Sequence, residues 1–96
     1  MSLNKNKRIL KIRRKLDALD NKLLDIIKVR TVLVSKILKN KTSKKQIIDK
    51  ERIKVILKNI KKKSLKKKID TKLTNKIWIE MIKAYINFEY RKFKKK

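Results

Sequence analysis

ILKIRRKLDALDNKLLDIIKVRTVLVSKI, from Ile9 to Ile37, is the stretch that decides the fold of this chain. Its apolar residues Ile9, Ile12, Leu16, Leu19, Leu23, Ile26, Leu33 and Ile37 fall largely at alternating steps of three and four. That spacing predicts one long helix over residues 6–40, with a coiled-coil seam along one side. At about 1.5 Å per residue, ~34 residues span roughly 50 Å. A compact chain of this size is only about 32 Å across. One straight helix therefore overshoots its own domain and needs a second chain over its seam. The expected assembly is an intertwined helical homodimer.

The seam has one break. Counting by sevens from Ile9 gives Leu16, Leu23, Arg30 and Ile37, so Arg30 stands where an apolar knob belongs. An unpaired buried guanidinium is costly, so Arg30 must meet an anion there. That anion is either a carboxylate of the dimer partner, with Arg30 setting the register, or a ligand held inside the bundle. Lys41 lies 11 residues beyond Arg30, almost three full turns, and so points to the same side. Arg13 belongs to the adjoining stripe with Asp20, Ile27 and Val34, 17 residues before Arg30. On a straight helix that separation is about 25 Å. If Arg13 and Arg30 serve one small ligand, one of them comes from the other subunit.

Beyond this helix the chain reads as two more. Lys41-Thr42-Ser43-Lys44-Lys45 is a polar break. A second helix is predicted over 47–62, opening near the N-cap type Asp49 and burying Ile53, Ile56, Leu57 and Ile60. Lys61 to Lys68 reads as a basic connector, and Asp70 or Thr71 as the cap of a third helix over 71–93. Leu73, Ile77, Met81, Tyr85 and Phe88 share a face of that helix, and a basic tail follows at 94–96. The fold class is all-α, a single three-helix domain over 1–96. Glu89 shares a largely apolar stripe with Trp78, Ile82 and Tyr85. It is either a partly exposed carboxylate pairing with Lys92 or a neighbouring lysine, or a buried carboxyl that keeps its proton and donates a hydrogen bond.

Composition narrows the chemistry. The 96 residues include no Cys and no His, which removes thiolates, disulfides, the usual general base and the commonest metal ligand. With 8 acidic residues a carboxylate metal cage is not expected, and without Gly or Pro neither is a Gly-rich phosphate loop. Catalysis is left to Lys, Arg, a lone carboxylate or backbone groups. No apolar run approaches a membrane span and no signal-peptide core opens the chain, so a soluble cytoplasmic protein without membrane contact is expected. The net charge of +25 fits a basic helical nucleic-acid-binding protein, with Lys61–Lys63, Lys66–Lys68 and Lys94–Lys96 on the polyanion. Yet 27 of the 33 basic residues are Lys in a chain crowded with Ile and Asn, all three having A/T-rich codons. Coding bias accounts for much of the charge, and Arg30 in the seam is left unexplained by a polyanion. Nucleic acid is the alternative partner, not the expected one.

The segment Ile12-Arg13-Arg14-Lys15-Leu16-Asp17-Ala18-Leu19-Asp20-Asn21-Lys22-Leu23-Leu24, continued to Arg30, resembles the first helix of the all-helical chorismate mutase family. That family's pattern is Arg-x-x-(Ile/Leu)-x-x-(Leu/Ile)-Asp-x-x-(Leu/Ile)-(Leu/Ile)-x-x-(Leu/Ile)-x-x-Arg. Lys41 matches the lysine that follows this arginine. Asp49-Lys50-Glu51-Arg52 resembles the start of the second family helix, and Ile77-Trp78 through Glu89 the end of the third. The ordered combination over three helices is far more specific than any one motif. Two positions depart from the pattern: Lys50 stands where the family often has Arg, and Tyr85 where it has a small hydroxyl residue. Tyr at that point is similar to the related isochorismate-pyruvate lyases, which share the fold and site.

The resemblance implies a homodimeric chorismate mutase that converts chorismate to prephenate in aromatic amino acid biosynthesis. The rearrangement is pericyclic and needs no nucleophile, metal or redox cofactor, so no cofactor is expected. Carried over residue by residue, Arg30 and Arg13 of the partner subunit bind the two carboxylates of this dianion. Lys41 and a protonated Glu89 donate to the ether oxygen, and Glu51 accepts from the ring hydroxyl. Lys50 assists a carboxylate, and Tyr85 lines the site. An isochorismate-pyruvate lyase on the same fold is the alternative activity.

Overall fold

The computed structural model describes residues 3–95. It consists of α1 (Leu3–Lys39), a 3-10 turn at Lys44–Gln46, α2 (Lys50–Lys66) and α3 (Thr71–Lys92). There is no strand among the described residues, and the fold is all-α. Lys96, the last residue of the basic tail, lies outside the described residues. The chain forms two compact units, residues 1–36 and 37–96.

Among the described residues the first unit is helix alone. α1 runs for 37 residues, about 55 Å, and its seam residues are exposed. Leu16, Leu19, Leu23, Ile26 and Leu33 keep between 53% and 62% of their surface exposed. Most helices draw their stability from packing such a face, so this one is unfinished by itself. The helix ends one residue short of the expected 40. Asn40 N–H and Lys41 N–H instead bond back to the carbonyls of Ile37 and Leu38 at 3.0 Å each, tightening the final turn.

The second unit is held by caps and by a small number of buried anchors. α2 opens at Lys50 and not at 47, because the Asp49 carboxylate accepts the Arg52 N–H at 3.0 Å and ends the helix there. Ile47, expected inside that helix, closes the 3-10 turn instead and is 3% exposed. At its other end α2 continues to Lys66 through most of the run expected as a connector. Nothing in Lys61–Lys66 breaks a helix, and Lys is a good helix former. The chain turns only at Lys68, whose φ of 57° is left-handed. Lys68 N–H then donates to the Leu65 carbonyl at 3.2 Å and Ile69 N–H to the Ser64 carbonyl at 2.9 Å, satisfying the helix end. Asp70 starts α3 by accepting the N–H groups of Lys72 and Leu73.

α2 and α3 pack against each other, and a pair of hydroxyls joins them. Ser64 Oγ lies 2.8 Å from Thr74 Oγ1, both residues being buried. The Ser64 proton goes to the Ile60 carbonyl at 2.7 Å, so Thr74 supplies the proton of the bridge. Thr74 takes the inward place expected of Leu73 at the start of α3, while Met81, Tyr85 and Phe88 of the expected face are half-buried. Leu73 and Ile77 are exposed, while the inner stripe runs through Thr74, Trp78, Ile82 and Tyr85 to Glu89. Ile53, Ile56, Leu57 and Ile60 of α2 are half-buried.

Candidate active site

Lys41 sits just past the end of α1, in the loop that leads to α2. The loop is fixed at both ends by apolar anchors, Leu38 and Ile47, the buried hydrophobic residues among those described. From this position the Lys41 Nζ donates to Glu89 Oε1 at 2.9 Å, a contact between residues 48 apart in sequence. Their side chains are 17% and 9% exposed. Of the two sequence readings of Glu89, the structure shows the carboxyl both buried and paired with a lysine. That lysine is Lys41 and not Lys92.

A second carboxylate on α3 shows what this pairing is not. Glu80 lies on the surface, with Lys76 Nζ at 3.1 Å and Lys83 Nζ at 3.7 Å. The hydrogen bond from Lys76, then the charges of Lys83 and Lys76, hold its carboxyl below the usual carboxylate range. Such exposed pairs within one helix are screened by water and contribute little. The Lys41–Glu89 pair joins distant parts of the chain away from solvent, where an electrostatic contact is stronger and the loss of either partner costs more.

Beside Lys41 opens a cleft of about 610 Å³, lined by Ile37, Asn40, Gln46, Ile48, Asp49, Lys50 and Glu51 together with Lys41 itself. Lys50 and Glu51 enter it as the first two residues of α2, placed there by the Asp49 cap. Glu51 also has Lys54 Nζ at 3.6 Å, in a well-exposed pair. The cleft thus combines two ammonium groups with carboxylates, suited to an anion that also presents a hydroxyl. Tyr85 lies one turn before Glu89 on α3, half-buried, its ring edge-on to Phe88 at 6.3 Å.

The structure therefore brings Lys41, Lys50 and Glu51 to one cleft and adds Glu89 through its contact with Lys41. Arg13 and Arg30 belong to the first unit. Arg30 is half-buried in a shallow cleft of about 530 Å³ with Asp25, Ile26, Val29 and Leu33. Arg13 is exposed on the same helix, 17 residues away, about 25 Å along the axis. No small ligand reaches both on one chain. Among the described residues no group of three or more His, Cys, Asp or Glu is placed to hold a metal ion. Gln46 was not singled out from the sequence, although Ser43-Lys44-Lys45-Gln46 has the Ser-x-x-Gln spacing of a capping box.

Comparison with known proteins gives one informative result. The family model described as chorismate mutase type II matches residues 12–90. Neither the curated proteins nor the solved structures give a match. The matched span takes in α2, nearly all of α3, and every site residue named above. The family's enzymes are intramolecular isomerases that convert chorismate to prephenate on the way to aromatic amino acids. With four-fifths of its length inside that match and an all-helical fold, this chain belongs to the chorismate mutase type II family.

Proposed function

We propose that the chain rearranges chorismate as an intertwined homodimer with two composite sites, each built from both subunits. The observation that carries this reading is the Lys41–Glu89 contact at 2.9 Å, largely out of solvent. It joins the two residues that match the family's donors to the ether oxygen. The exposed seam of α1 supports the dimer, since covering the exposed half of each Leu or Ile is worth about 1 kcal/mol. So does the distance between Arg13 and Arg30, which one site uses together only if they come from different subunits.

A pericyclic reaction leaves the protein two tasks. The first is to hold the flexible enolpyruvyl ether against the ring in a reactive chair. Arg30 and Arg13 of the partner subunit do this through the two carboxylates, and Lys50 adds a point charge. Glu51 accepts from the ring hydroxyl and fixes the ring's orientation. The second task is to stabilise the negative charge that grows on the ether oxygen as the C–O bond breaks. Lys41 donates there, and Glu89 joins it as second donor once it has taken up a proton from solvent, each donor being worth roughly 3–4 kcal/mol. In the free protein Glu89 accepts from Lys41 and holds its ammonium in position; the ether oxygen takes over as acceptor in the complex. We assign the enzyme to the cytoplasm; none of its described helices is long and apolar enough to cross a membrane.

Incubating the purified protein separately with chorismate and isochorismate tests the assignment. Prephenate from chorismate is the expected result. Tyr85, at a position where the family carries a small hydroxyl residue, favours the lyase as second reading. Pyruvate released from isochorismate, with no prephenate from chorismate, would transfer the assignment to that activity.

A further inference from the structure

We propose that Gln46 is a positioning residue for this site, acting through the backbone of Lys41. The inference rests on the reading of Lys41 as a donor to the transition state. Gln46 Oε1 accepts the N–H of Thr42 at 2.6 Å, the N–H of Ser43 at 3.3 Å and the hydroxyl of Thr42 at 3.4 Å. The first bond matters most. The Thr42 N–H belongs to the peptide group whose carbonyl is that of Lys41, so Gln46 holds the plane that sets ψ of Lys41. On the other side, the Lys41 N–H is held by the Leu38 carbonyl at 3.0 Å. Both peptide planes flanking the Lys41 Cα are thereby fixed.

What remains free is the four-carbon stem, and Glu89 orders its tip at 2.9 Å. A lysine side chain carries a large rotamer entropy, so a rigid root is worth having beneath a flexible stem. A donor must also stand within about 0.5 Å of its productive position to stabilise developing charge. Gln46 itself is exposed and lines the same cleft as Lys41, Lys50 and Glu51. It belongs to no apolar core, and shortening it opens no buried cavity. A residue that merely capped the 3-10 turn at Lys44–Gln46 would affect stability without regard to Lys41.

The test measures kcat, KM and thermal melting for Gln46→Ala and Gln46→Glu, each in the wild-type and Lys41→Ala backgrounds. Glutamate keeps the accepting oxygen and alanine removes it. Gln46→Ala should lower kcat roughly ten-fold with KM within about two-fold, as expected of lost orientation. Gln46→Glu should recover most of kcat, and in the Lys41→Ala background Gln46→Ala should cost nothing further. Should Gln46→Ala fail to fold, Gln46→Leu keeps the bulk without the acceptor and takes its place. An equal fall of kcat in both backgrounds, a change confined to KM, or a Glu variant as slow as Ala overturns the positioning role alone. Lys41→Ala with wild-type kcat overturns the reading beneath it.

Discussion

Along α1, Leu16, Leu23 and Leu33 keep more than half their surface exposed, whereas between α2 and α3 two small hydroxyls, Ser64 and Thr74, are buried against each other. The long helix carries the apolar material of a core on an exposed stripe. The two-helix unit has few buried apolar side chains, and directional contacts hold its parts in place: the hydroxyl bridge, two aspartate caps and the Lys41–Glu89 pair. Apolar burial is strong and tolerant of position, while a hydrogen bond is weak and specific. The first suits an assembly surface, the second the fixing of a site.

The sharpest way to break this contrast is to put a charge on each side of it. Leu23→Glu, in the seam, should abolish the dimer and with it most of the fold, by sedimentation and circular dichroism. Val55→Glu on α2 replaces an apolar residue of similar exposure (47%) that lies in no seam. It should change stability by no more than about 0.5 kcal/mol. Equal damage from both would show that the α1 seam is ordinary surface. Next in size is the ion pair. Lys41→Ala should lower kcat by two or more orders of magnitude, near the 3–4 kcal/mol of a lost donor. Glu89→Gln keeps a donor and should preserve activity. A change confined to KM for Lys41→Ala would mean that the residue only gathers substrate.

The hydroxyl bridge gives a smaller effect with a particular shape. Ser64→Ala or Thr74→Val alone removes the bridge while the remaining hydroxyl keeps a carbonyl of its own helix, and should cost about 0.5–1.5 kcal/mol in denaturant unfolding. The double variant should be less damaging than the two singles added together; simple additivity would show the hydroxyls to be independent. Smallest is Lys68, which occupies a left-handed position in a chain without glycine. Lys68→Gly should stabilise the unit by up to about 1 kcal/mol, because β-carbon strain is relieved at that φ. A destabilised variant would mean that the lysine side chain holds the turn.

The same contrast separates what was legible in the sequence from what was not. The seam of α1 and the caps Asp49 and Asp70 could be read directly, because period and N-cap chemistry are local rules. The continuation of α2 through Lys61–Lys66 was not, since a lysine run looks alike in a solvated helix and in a loop. On α3 the stripe of Trp78, Ile82, Tyr85 and Glu89 is legible in the sequence, and only the start of the helix differs: Leu73 and Ile77 are exposed, and Thr74 meets Ser64 of α2 instead. In the site, spacing from Arg30 marks Lys41 and an apolar stripe marks Glu89, while the resemblance supplies their roles. Their contact spans 48 residues, and no periodicity connects them. Gln46 carried a visible signal, but its meaning depends on which peptide its oxygen reaches.

One consequence of the Lys41–Glu89 contact concerns heat. Lys41 follows the last turn of α1, and Glu89 lies within the last turn of α3, which ends at Lys92. Helix ends open at far lower free energy than helix centres. The positive Lys41 is also well placed against the negative end of the α3 dipole, so each end steadies the other. On warming, these two ends loosen together while the middles of α2 and α3 remain wound. Inactivation should then run ahead of melting: the assay is expected to fail at a temperature where circular dichroism still reports nearly full helix, and to return on cooling.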